Sequence, residues 1–222
     1  MSSQKQMLQD IEREVDSTRY MIGRSALSQQ VMDALLDVPR DAFVPLSERR
    51  SAYYNGPLPI GCGQTISQPY IVALMTDLLC ADSNDVVLEV GTGSGYQAAV
   101  LSRVVRQVYS VEIIETLSQR ASETLSRLGY ENVECCCGDG YRGWPEHAPY
   151  DGILVTAACP EIPPPLISQL KSGARMVIPV GTPFGYQELV LVEKHDTGEV
   201  SERKILDVSF VPLTGNHERG TY

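Results

Sequence analysis

The segment VVLEVGTGSGYQ, residues 86–97, constrains the fold of this chain more than any other stretch. A short apolar run, Val86 to Val90, ends at Gly91, and two more glycines follow at alternate positions, Gly93 and Gly95. Glycine accepts the backbone angles of a sharp turn and has no Cβ to keep a ligand away from the main chain. The pattern therefore predicts a buried strand that turns into a helix beside a bound ligand.

Apolar runs and helical segments alternate beyond residue 85. YQAAVLSRVV has helical character, and a second helix is predicted over TLSQRASETLSRLG, with Gly129 as its C-cap. Strands are predicted at Val86–Val90, Val108–Val111, Val133–Cys137, Ile153–Val155, Met176–Val180, Leu189–Val192 and Ile205–Val211. Strands separated by helices form a mostly parallel sheet covered on both faces. We expect an α/β fold with a doubly wound, mostly parallel seven-stranded sheet. Its last two strands, around the DTGE turn, have no helix between them and indicate an antiparallel end.

The first eighty residues have a different character. Apolar residues recur at helical spacing from Met7 to Val15, and Ser28 is a candidate cap for a second helix. We therefore expect an N-terminal helical extension. Residues 1–80 are predicted to form this helical region and an active-site segment, packed on a core formed by residues 81–222.

Composition argues against several classes of protein. The formal net charge is −10 and no basic stripe offsets it, so we expect no nucleic-acid partner. No apolar run approaches the roughly 18 residues that a membrane span needs, and the polar start is unlike a secretory signal. These features favour a cytoplasmic protein without membrane contact.

The six cysteines and three histidines do not predict a metal site. The cysteines contain no C-x-x-C pair, and the histidines are scattered along the chain. Cys135, Cys136 and Cys137 are consecutive, and successive residues of a strand point to opposite faces. We interpret them as small buried hydrophobic residues.

Two carboxylates follow the next two predicted strands. Glu112 ends the strand after the glycine loop, about twenty residues on, where an acid can accept both ribose hydroxyls. Asp139 comes just after the third strand, where its carboxylate can accept an adenine amine. Each acid alone is equally well explained as a solvated loop carboxylate. The glycine loop and two acids at consecutive strand ends together indicate a nucleoside site.

Tyr96 bears on which nucleoside binds. The dinucleotide fingerprint G-x-G-x-x-G would place its third glycine at position 96, so NAD is disfavoured. The G-x-G-x-G spacing, preceded on the strand by Glu89, resembles the loop of class I methyltransferases. The predicted cofactor is S-adenosylmethionine.

Five stretches carry a more specific resemblance: VPRDAFVP, PLPIGCGQTISQPYIVALMT, VLEVGTGSGYQAAVLS, GDGYRGWPEHAPYDGILVTAA and QLKSGARMVIPVG. Together they resemble the protein-L-isoaspartate O-methyltransferase family over roughly residues 30 to 215, and GQTISQP is the most specific of their motifs. The resemblance implies an enzyme that methylates the free α-carboxylate of L-isoaspartyl residues in damaged proteins and peptides. The ester then collapses to a succinimide, which hydrolyses partly to normal aspartate. The chain departs from the family pattern at Cys62 and in YYNGPLPI, and these departures bear on peptide preference. For the oligomeric state we favour a monomer.

The resemblance also assigns roles to residues. Ser67 is the family's active-site serine, and Thr65 and Ile66 lie against the substrate. The implied cofactor-binding residues are Gln64, Thr65, Ser67, Glu89, Gly91, Thr92, Gly93, Gly95, Glu112, Ile113, Asp139 and Gly140.

The reaction itself explains why a serine suits this place. An α-carboxylate has a pKa of about 3.5 and is already ionised at neutral pH, so no general base is required. The enzyme must supply alignment and hydrogen-bond donors. An alternative role for Ser67 is to cap the helix that begins near Pro69.

Three alternative functions remain. A methyltransferase acting on nucleic-acid amines usually has a D/N-P-P-Y/F box after the fourth strand, where this chain has TAACP. A non-catalytic S-adenosylmethionine-binding or partner-binding protein is the second, and an NAD oxidoreductase is the third. The TAACP sequence and the acidic charge disfavour the first alternative, GQTISQP argues against the second, which a single turnover assay tests, and Tyr96 weakens the third.

Overall fold

The computed structural model describes residues 3–182 and 185–215. In chain order its helices and strands are α1 (Gln4–Ile22), α2 (Gln29–Asp37), β1 (Leu58–Gly61), β2 (Gln64–Ile66), α3 (Pro69–Leu79), β3 (Val86–Val90), α4 (Tyr96–Ser102), β4 (Gln107–Glu112), α5 (Glu115–Arg127), β5 (Val133–Cys137), β6 (Tyr150–Val155), α6 (Pro164–Gln169), β7 (Leu170–Gly181), β8 (Gln187–Lys194) and β9 (Val200–Val208). Short 3-10 turns cover Arg40–Phe43, Arg49–Ser51, Gly140–Arg142 and Pro145–His147.

The centre of the fold is a seven-stranded sheet in the order β5-β4-β3-β6-β7-β8-β9. The first five strands in this order run parallel to one another. β8 is antiparallel to both of its neighbours, β7 and β9, and the described residues between these three strands form no helix. The predicted doubly wound, mostly parallel fold with an antiparallel end is therefore confirmed. β1 and β2 form a separate hairpin whose turn carries the exposed Cys62.

The sheet register decides where the polar residues at the strand ends lie. Val90 pairs with Val111 in β4 and with Val155 in β6. The next residue of each strand therefore reaches the same edge of the sheet. Gly91, Glu112 and Thr156 are brought together in this way.

Strand prediction succeeds for β3 in the sheet centre and for the edge strand β5, and it fails at the other edge of the sheet, in β9. The predicted bounds of β3 and β5 are those observed. The last strand was predicted over 205–211 but runs from Val200 to Val208, and the N–H of Phe210 instead donates to Gln187 Oε1 at 2.6 Å. The edge strand begins with the exposed residues 201–204, which have no apolar pattern. An edge strand needs few buried side chains, so the apolar pattern placed this strand too far toward the C-terminus.

The two faces of the sheet bury separate apolar clusters. The face with Val87 and Leu154 packs against α1, α2, α3 and α4. The opposite face, with Leu88, Ile153 and Val155, packs against α6 and the chain around Trp144. Apolar side chains spaced at the helical period hold α1 and α2 on the first face: Met7, Ile11, Val15, Ile22, Val31 and Leu35.

The cysteine run follows this division. Cys135 packs on the first face and Cys136 on the second, as the alternation of a strand requires. Cys137 is exposed, so its interpretation as a buried residue is wrong. Within the described chain no group of three or more His, Cys, Asp or Glu side chains is placed to hold a metal ion.

A buried acid ties the helical extension to α3. Asp77 accepts a hydrogen bond from the Ser28 N–H at 2.8 Å through Oδ1, and its Oδ2 contacts Arg24. Ser28 does precede α2 as predicted, but its hydroxyl makes no capping bond to that helix. No described helix is both long and apolar enough to cross a bilayer.

We expect Asp77→Ala to lower the free energy of unfolding by about 2–4 kcal/mol, because it leaves Arg24 and a backbone N–H without their buried partner. Denaturant melts measure this change. Asp16→Ala is the control, because it removes an acid from the exposed Asp16–Arg19 pair of α1 and should leave the melt almost unchanged. Equal effects of the two substitutions would contradict the role given to Asp77.

Candidate active site

The glycine loop after β3 is locked from two sides. The Gly91 N–H donates to Val111 O at 2.8 Å, and the Thr156 hydroxyl donates to Gly91 O at 2.6 Å. Gly91 has φ 98°, and a Cβ built there would lie 2.3 Å from Thr156 Oγ1. Glycine is required at position 91 both by its backbone angles and by the close approach of Thr156.

Glu112 lies at the end of β4 and is 6% exposed. One carboxylate oxygen accepts the Gly93 N–H at 2.8 Å, and the other accepts the Ile114 N–H at 3.0 Å. A carboxylate has about four acceptor positions, so each oxygen can still accept a ligand hydroxyl. Glu112 thus orders the loop and presents a preorganised acceptor.

A pocket opens above these residues and is called the first pocket. Predicted cofactor residues in its lining are Gln64, Thr65, Gly91, Gly93, Glu112, Ile113 and Gly140. The other residues of its lining are Val90, Val111, Thr156, Ala157, Val211, Pro212, Leu213 and Thr214. None of these lining residues is basic, so the pocket suits a neutral or cationic ligand better than a diphosphate.

A cavity of about 410 Å³ lies beside the first pocket and is called the second pocket. Its lining residues are Pro57, Thr65, Ser67, Gln68, Ile71, Thr156, Asp207, Val208, Ser209, Phe210 and Val211. Three of them, Thr65, Thr156 and Val211, also line the first pocket. The two pockets therefore share a wall.

Ser67 belongs to the second pocket only. It is half-buried, and its hydroxyl forms no hydrogen bond with any residue in the described parts of the chain. The N-cap of α3 is Gln68, not Ser67, and Pro69 is the first helical residue. The alternative that Ser67 caps this helix is wrong, so the hydroxyl remains available to a ligand.

Five predicted cofactor residues lie outside the lining of the first pocket, and one of them, Ser67, lines the second pocket only. Gly95 has φ 86° and turns the chain into α4, and a Cβ there would press on Leu125. Asp139 accepts the Tyr141 N–H at 3.1 Å and contributes to its 3-10 turn, while the adjacent Gly140 reaches the pocket. The remaining two, Glu89 and Thr92, lie beneath the glycine loop.

Glu89 and Thr92 form a buried polar chain through Ser110. The Ser110 hydroxyl donates to Glu89 and lies 2.5 Å from Thr92 Oγ1. Burial raises the pKa of Glu89 to about 8, and the hydrogen bond from Ser110 opposes this rise. Glu89 is therefore mainly protonated at neutral pH and can support the loop without a buried negative charge.

Ile66, predicted to contact substrate, has its side chain in the apolar core at 4% exposure. It pairs with Leu58 in the hairpin and does not line either pocket. Because side chains alternate along β2, Thr65 faces the pockets when Ile66 faces the core. Cys62 also lies outside both linings.

Sequence reasoning missed Thr156 and the segment 211–214. Thr156 directly follows the predicted strand Ile153–Val155, so the rule that identified Glu112 would have found it. The segment 211–214 is held by a Leu213 N–H to Ala158 O bond of 2.8 Å, which joins residues far apart in sequence. No local sequence pattern predicts that contact.

The first pocket fits the predicted cofactor. It offers carboxylate lone pairs for ribose hydroxyls, close backbone at Gly91 and Gly93, and apolar surface at Val90, Val111 and Leu213 for a base. A sulfonium cation is also compatible with a lining whose described residues include Glu112 and no basic side chain. Fold and site together define a class I S-adenosylmethionine-dependent methyltransferase.

Comparison with known proteins narrows this class to one family. The family model described as Protein-L-isoaspartate(D-aspartate) O-methyltransferase (PCMT) matches residues 6–218, and the chain belongs to this family. The match takes in most of α1, beyond the region of roughly 30–215 that the motifs indicated.

Relatives and solved structures agree with this assignment. The chain is 59% identical to protein-L-isoaspartate O-methyltransferase 2 of Syntrophobacter fumaroxidans, over 97% of this chain and 87% of that protein. It is 58% identical to the enzyme of the same name from Nitrosococcus oceani, over 98% of this chain and 99% of that protein. A solved protein-L-isoaspartate O-methyltransferase superposes with a TM-score of 0.81 at 32% identity, covering 96% of this chain and 67% of that one. The fold is also shared with a Plasmodium falciparum structure at 23% identity, with a TM-score of 0.78 over 97% of this chain and all of that one.

We expect Glu112→Gln to weaken S-adenosylmethionine binding by about 1.5–3 kcal/mol, because it removes a charged acceptor and disturbs the Gly93 and Ile114 amides. Isothermal titration calorimetry measures the dissociation constant. Glu115→Gln, which changes an exposed acid three residues later, is the matched control. Unchanged affinity in Glu112→Gln would remove Glu112 from the site.

Proposed function

We propose that the first pocket holds S-adenosylmethionine and that the second pocket holds the free α-carboxylate of an L-isoaspartyl residue, which this chain methylates. The observation that carries the proposal is the wall shared by the two pockets, with the unpaired Ser67 hydroxyl on the acceptor side. A methyl donor in the first pocket and a carboxylate in the second are therefore close to the same residues, Thr65, Thr156 and Val211. The methyl ester made in this way closes to a succinimide, the first step of repair.

The residues of the first pocket have distinct roles in this proposal. Glu112 accepts the ribose hydroxyls, and Ile113, an apolar residue at the rim, packs against the base. Gly91 and Gly93 let the main chain approach the methionyl part, and Gln64 and Thr65 close the pocket from the hairpin. The bound cofactor supplies an electrophilic methyl group on a sulfonium.

Glu89, Thr92, Gly95 and Asp139 act indirectly. Glu89 and Thr92 fix the loop from below through Ser110, and Gly95 sets its exit into α4. Asp139 orients the turn that carries Gly140 to the pocket. Loop geometry, rather than contact with the ligand, is what these four side chains contribute.

The second pocket handles an acceptor that is already ionised. The Ser67 hydroxyl donates a hydrogen bond to one oxygen of the substrate carboxylate. This bond orients the carboxylate so that its other oxygen faces the methyl group of the cofactor. Thr65 faces both pockets and limits the angle between the two reactants. Ser67 stays neutral throughout, since no proton has to be removed from the acceptor.

The environment of Thr156 disfavours the nucleic-acid alternative. In an amine methyltransferase the residues after the fourth parallel strand hold the base, whereas here the Thr156 hydroxyl is bonded to Gly91 O. The formal charge of −10 also disfavours a phosphate backbone. We propose protein and peptide substrates, no nucleic-acid partner and a monomeric enzyme.

We propose a cytoplasmic location as well. All six cysteines are free thiols, which is typical of reducing compartments. S-adenosylmethionine and ageing proteins are both available there.

The test of the proposed function is methyl transfer from labelled S-adenosylmethionine to an isoaspartyl peptide and to its aspartyl twin. The isoaspartyl linkage inserts one methylene into the main chain and leaves the α-carboxylate free. In the twin the carboxylate lies on the side chain, displaced from the main-chain contacts, so we expect labelling of the isoaspartyl peptide alone. Equal labelling of both peptides would contradict the proposal and indicate a general carboxyl methyltransferase.

We expect Ser67→Ala to lower turnover by about ten- to a thousandfold, equal to about 1.4–4 kcal/mol, while S-adenosylmethionine binding stays nearly intact. The reason is the loss of the donor that orients the substrate carboxylate. Turnover and thermal melts are measured on one preparation, with the exposed Ser126→Ala as control. Normal turnover of Ser67→Ala would remove the hydroxyl from the reaction.

A further inference from the structure

Arg40 is a charged side chain buried completely in the fold, at 0% exposure. It lies in the 3-10 turn Arg40–Phe43, directly after the Val-Pro pair that ends the helical extension. No acidic side chain within the described residues forms an ion pair with it. Its partners are main-chain carbonyls: Nε donates to Ala52 O at 2.9 Å, and Nη2 donates to Ser67 O at 2.7 Å and Gly56 O at 3.4 Å.

One of these carbonyls belongs to a residue of the second pocket and another to the residue next to it. Ser67 lines that pocket, and Gly56 directly precedes Pro57, which also lines it. A single guanidinium therefore donates hydrogen bonds to the main chain of Ser67 and to the main chain of the loop that contains Gly56. The planar fork of arginine makes such divergent hydrogen bonds, which a lysine ammonium cannot reproduce in the same plane.

The same guanidinium lies over the ring of Tyr96, the residue that follows the glycine loop. The Arg40 Cζ lies 4.8 Å from the ring centroid of Tyr96, and Phe43 packs edge-on against that ring at 5.7 Å. Tyr96 follows Gly95 and is the first residue of α4, so its ring is anchored to the loop of the first pocket. Arg40 thus connects the main chain of Ser67 with the chain that shapes the cofactor side.

Burying the Arg40 guanidinium lowers the stability of the fold through loss of its hydration. Burial lowers the pKa of Arg40 to about 10, because the charged form loses its hydration. Apolar residues of similar volume are often at least as stabilising as a buried charged group. A contribution to stability therefore does not explain why a cation is buried at this position. Its hydrogen bonds and its ring contact do fix the geometry between the two pockets.

We infer that Arg40 is a positioning residue for methyl transfer, which sets the location of Ser67 relative to the glycine loop. The inference rests on the proposed function. Arg40 touches neither reactant, so it acts on the rate through Ser67 and Tyr96. It should influence turnover far more than affinity for the cofactor.

The first experiment compares Arg40→Lys with Arg50→Lys, which makes the same chemical change on the exposed 3-10 turn Arg49–Ser51. We expect Arg40→Lys to lower kcat about ten- to a hundredfold at saturating peptide and cofactor, since alignment is lost. The dissociation constant of S-adenosylhomocysteine, measured by calorimetry, should change less than about threefold, because lining contacts remain. Arg50→Lys should leave both quantities unchanged.

The second experiment separates positioning from general destabilisation with a double-mutant cycle. If Arg40 acts through Ser67, then Arg40→Lys should lower kcat much less in a Ser67→Ala background than in the wild type. Leu35→Ala is the stability control, because it opens the same apolar cluster without touching either pocket. It should lower the melting temperature and leave the kcat of the folded molecule unchanged.

Each outcome decides the matter. Wild-type kcat in folded Arg40→Lys, or full additivity with Ser67→Ala, would overturn the inference. Arg40→Met, which removes the charge but keeps apolar volume, is prepared in case Arg40→Lys does not fold, and the same loss of kcat is expected. Failure of both variants to fold in the cold would assign Arg40 to folding alone and overturn the inference too. A wild-type enzyme that does not methylate the isoaspartyl peptide would instead contradict the proposed function.

Discussion

The carboxyl ends of β3, β4 and β6 lie level with one another because Val90 pairs with both Val111 and Val155. Parallel strands linked by helices force their loops to the same edge of the sheet, and the register decides which residues meet there. A slip of one residue in either pairing would turn side chains to the opposite face and separate Glu112 or Thr156 from the glycine loop. The geometry of both pockets depends on this register.

Two buried polar assemblies hold the loops that leave this edge. Below the glycine loop, a mainly protonated Glu89 bonds Ser110, which lies against Thr92. Beside the hairpin, Arg40 donates to the carbonyls of Ala52 and Ser67, and Ser67 lines the second pocket. Within the described residues, Glu89 Oε1 and Arg40 Nη1 have no hydrogen-bond partner. The hydrogen bonds that the two assemblies do form favour one arrangement of the chain over others, which apolar packing alone does less sharply. A reaction that depends on alignment needs such uniqueness more than it needs additional stability.

Sequence patterns predicted what depends on local chemistry. The alternation of strands and helices gave the sheet centre, and the position after a strand end identified Glu112 without knowledge of any contact. What they missed depends on contacts distant in sequence. Thr156 is defined by its hydroxyl bond to Gly91, the segment 211–214 by pairing near Ala158, and β9 by an edge position that tolerates charged residues. Arg40 has no local signature either, since an arginine at the start of a 3-10 turn is ordinarily expected at the surface.

The charges around the second pocket bear on how a carboxylate enters it. Among the described residues of its lining, Asp207 is the only titratable one, and its carboxylate accepts a hydrogen bond from the Tyr186 hydroxyl at 2.8 Å. It does not line the first pocket, whereas Thr65 lines both. Like charges repel at short range, so an anionic acceptor has higher energy beside Asp207 than beside the neutral hydroxyls of Thr65 and Ser67. In the proposed function, Asp207 therefore disfavours a substrate carboxylate at its own side of the pocket, and Ser67 fixes the orientation of that carboxylate beside Thr65.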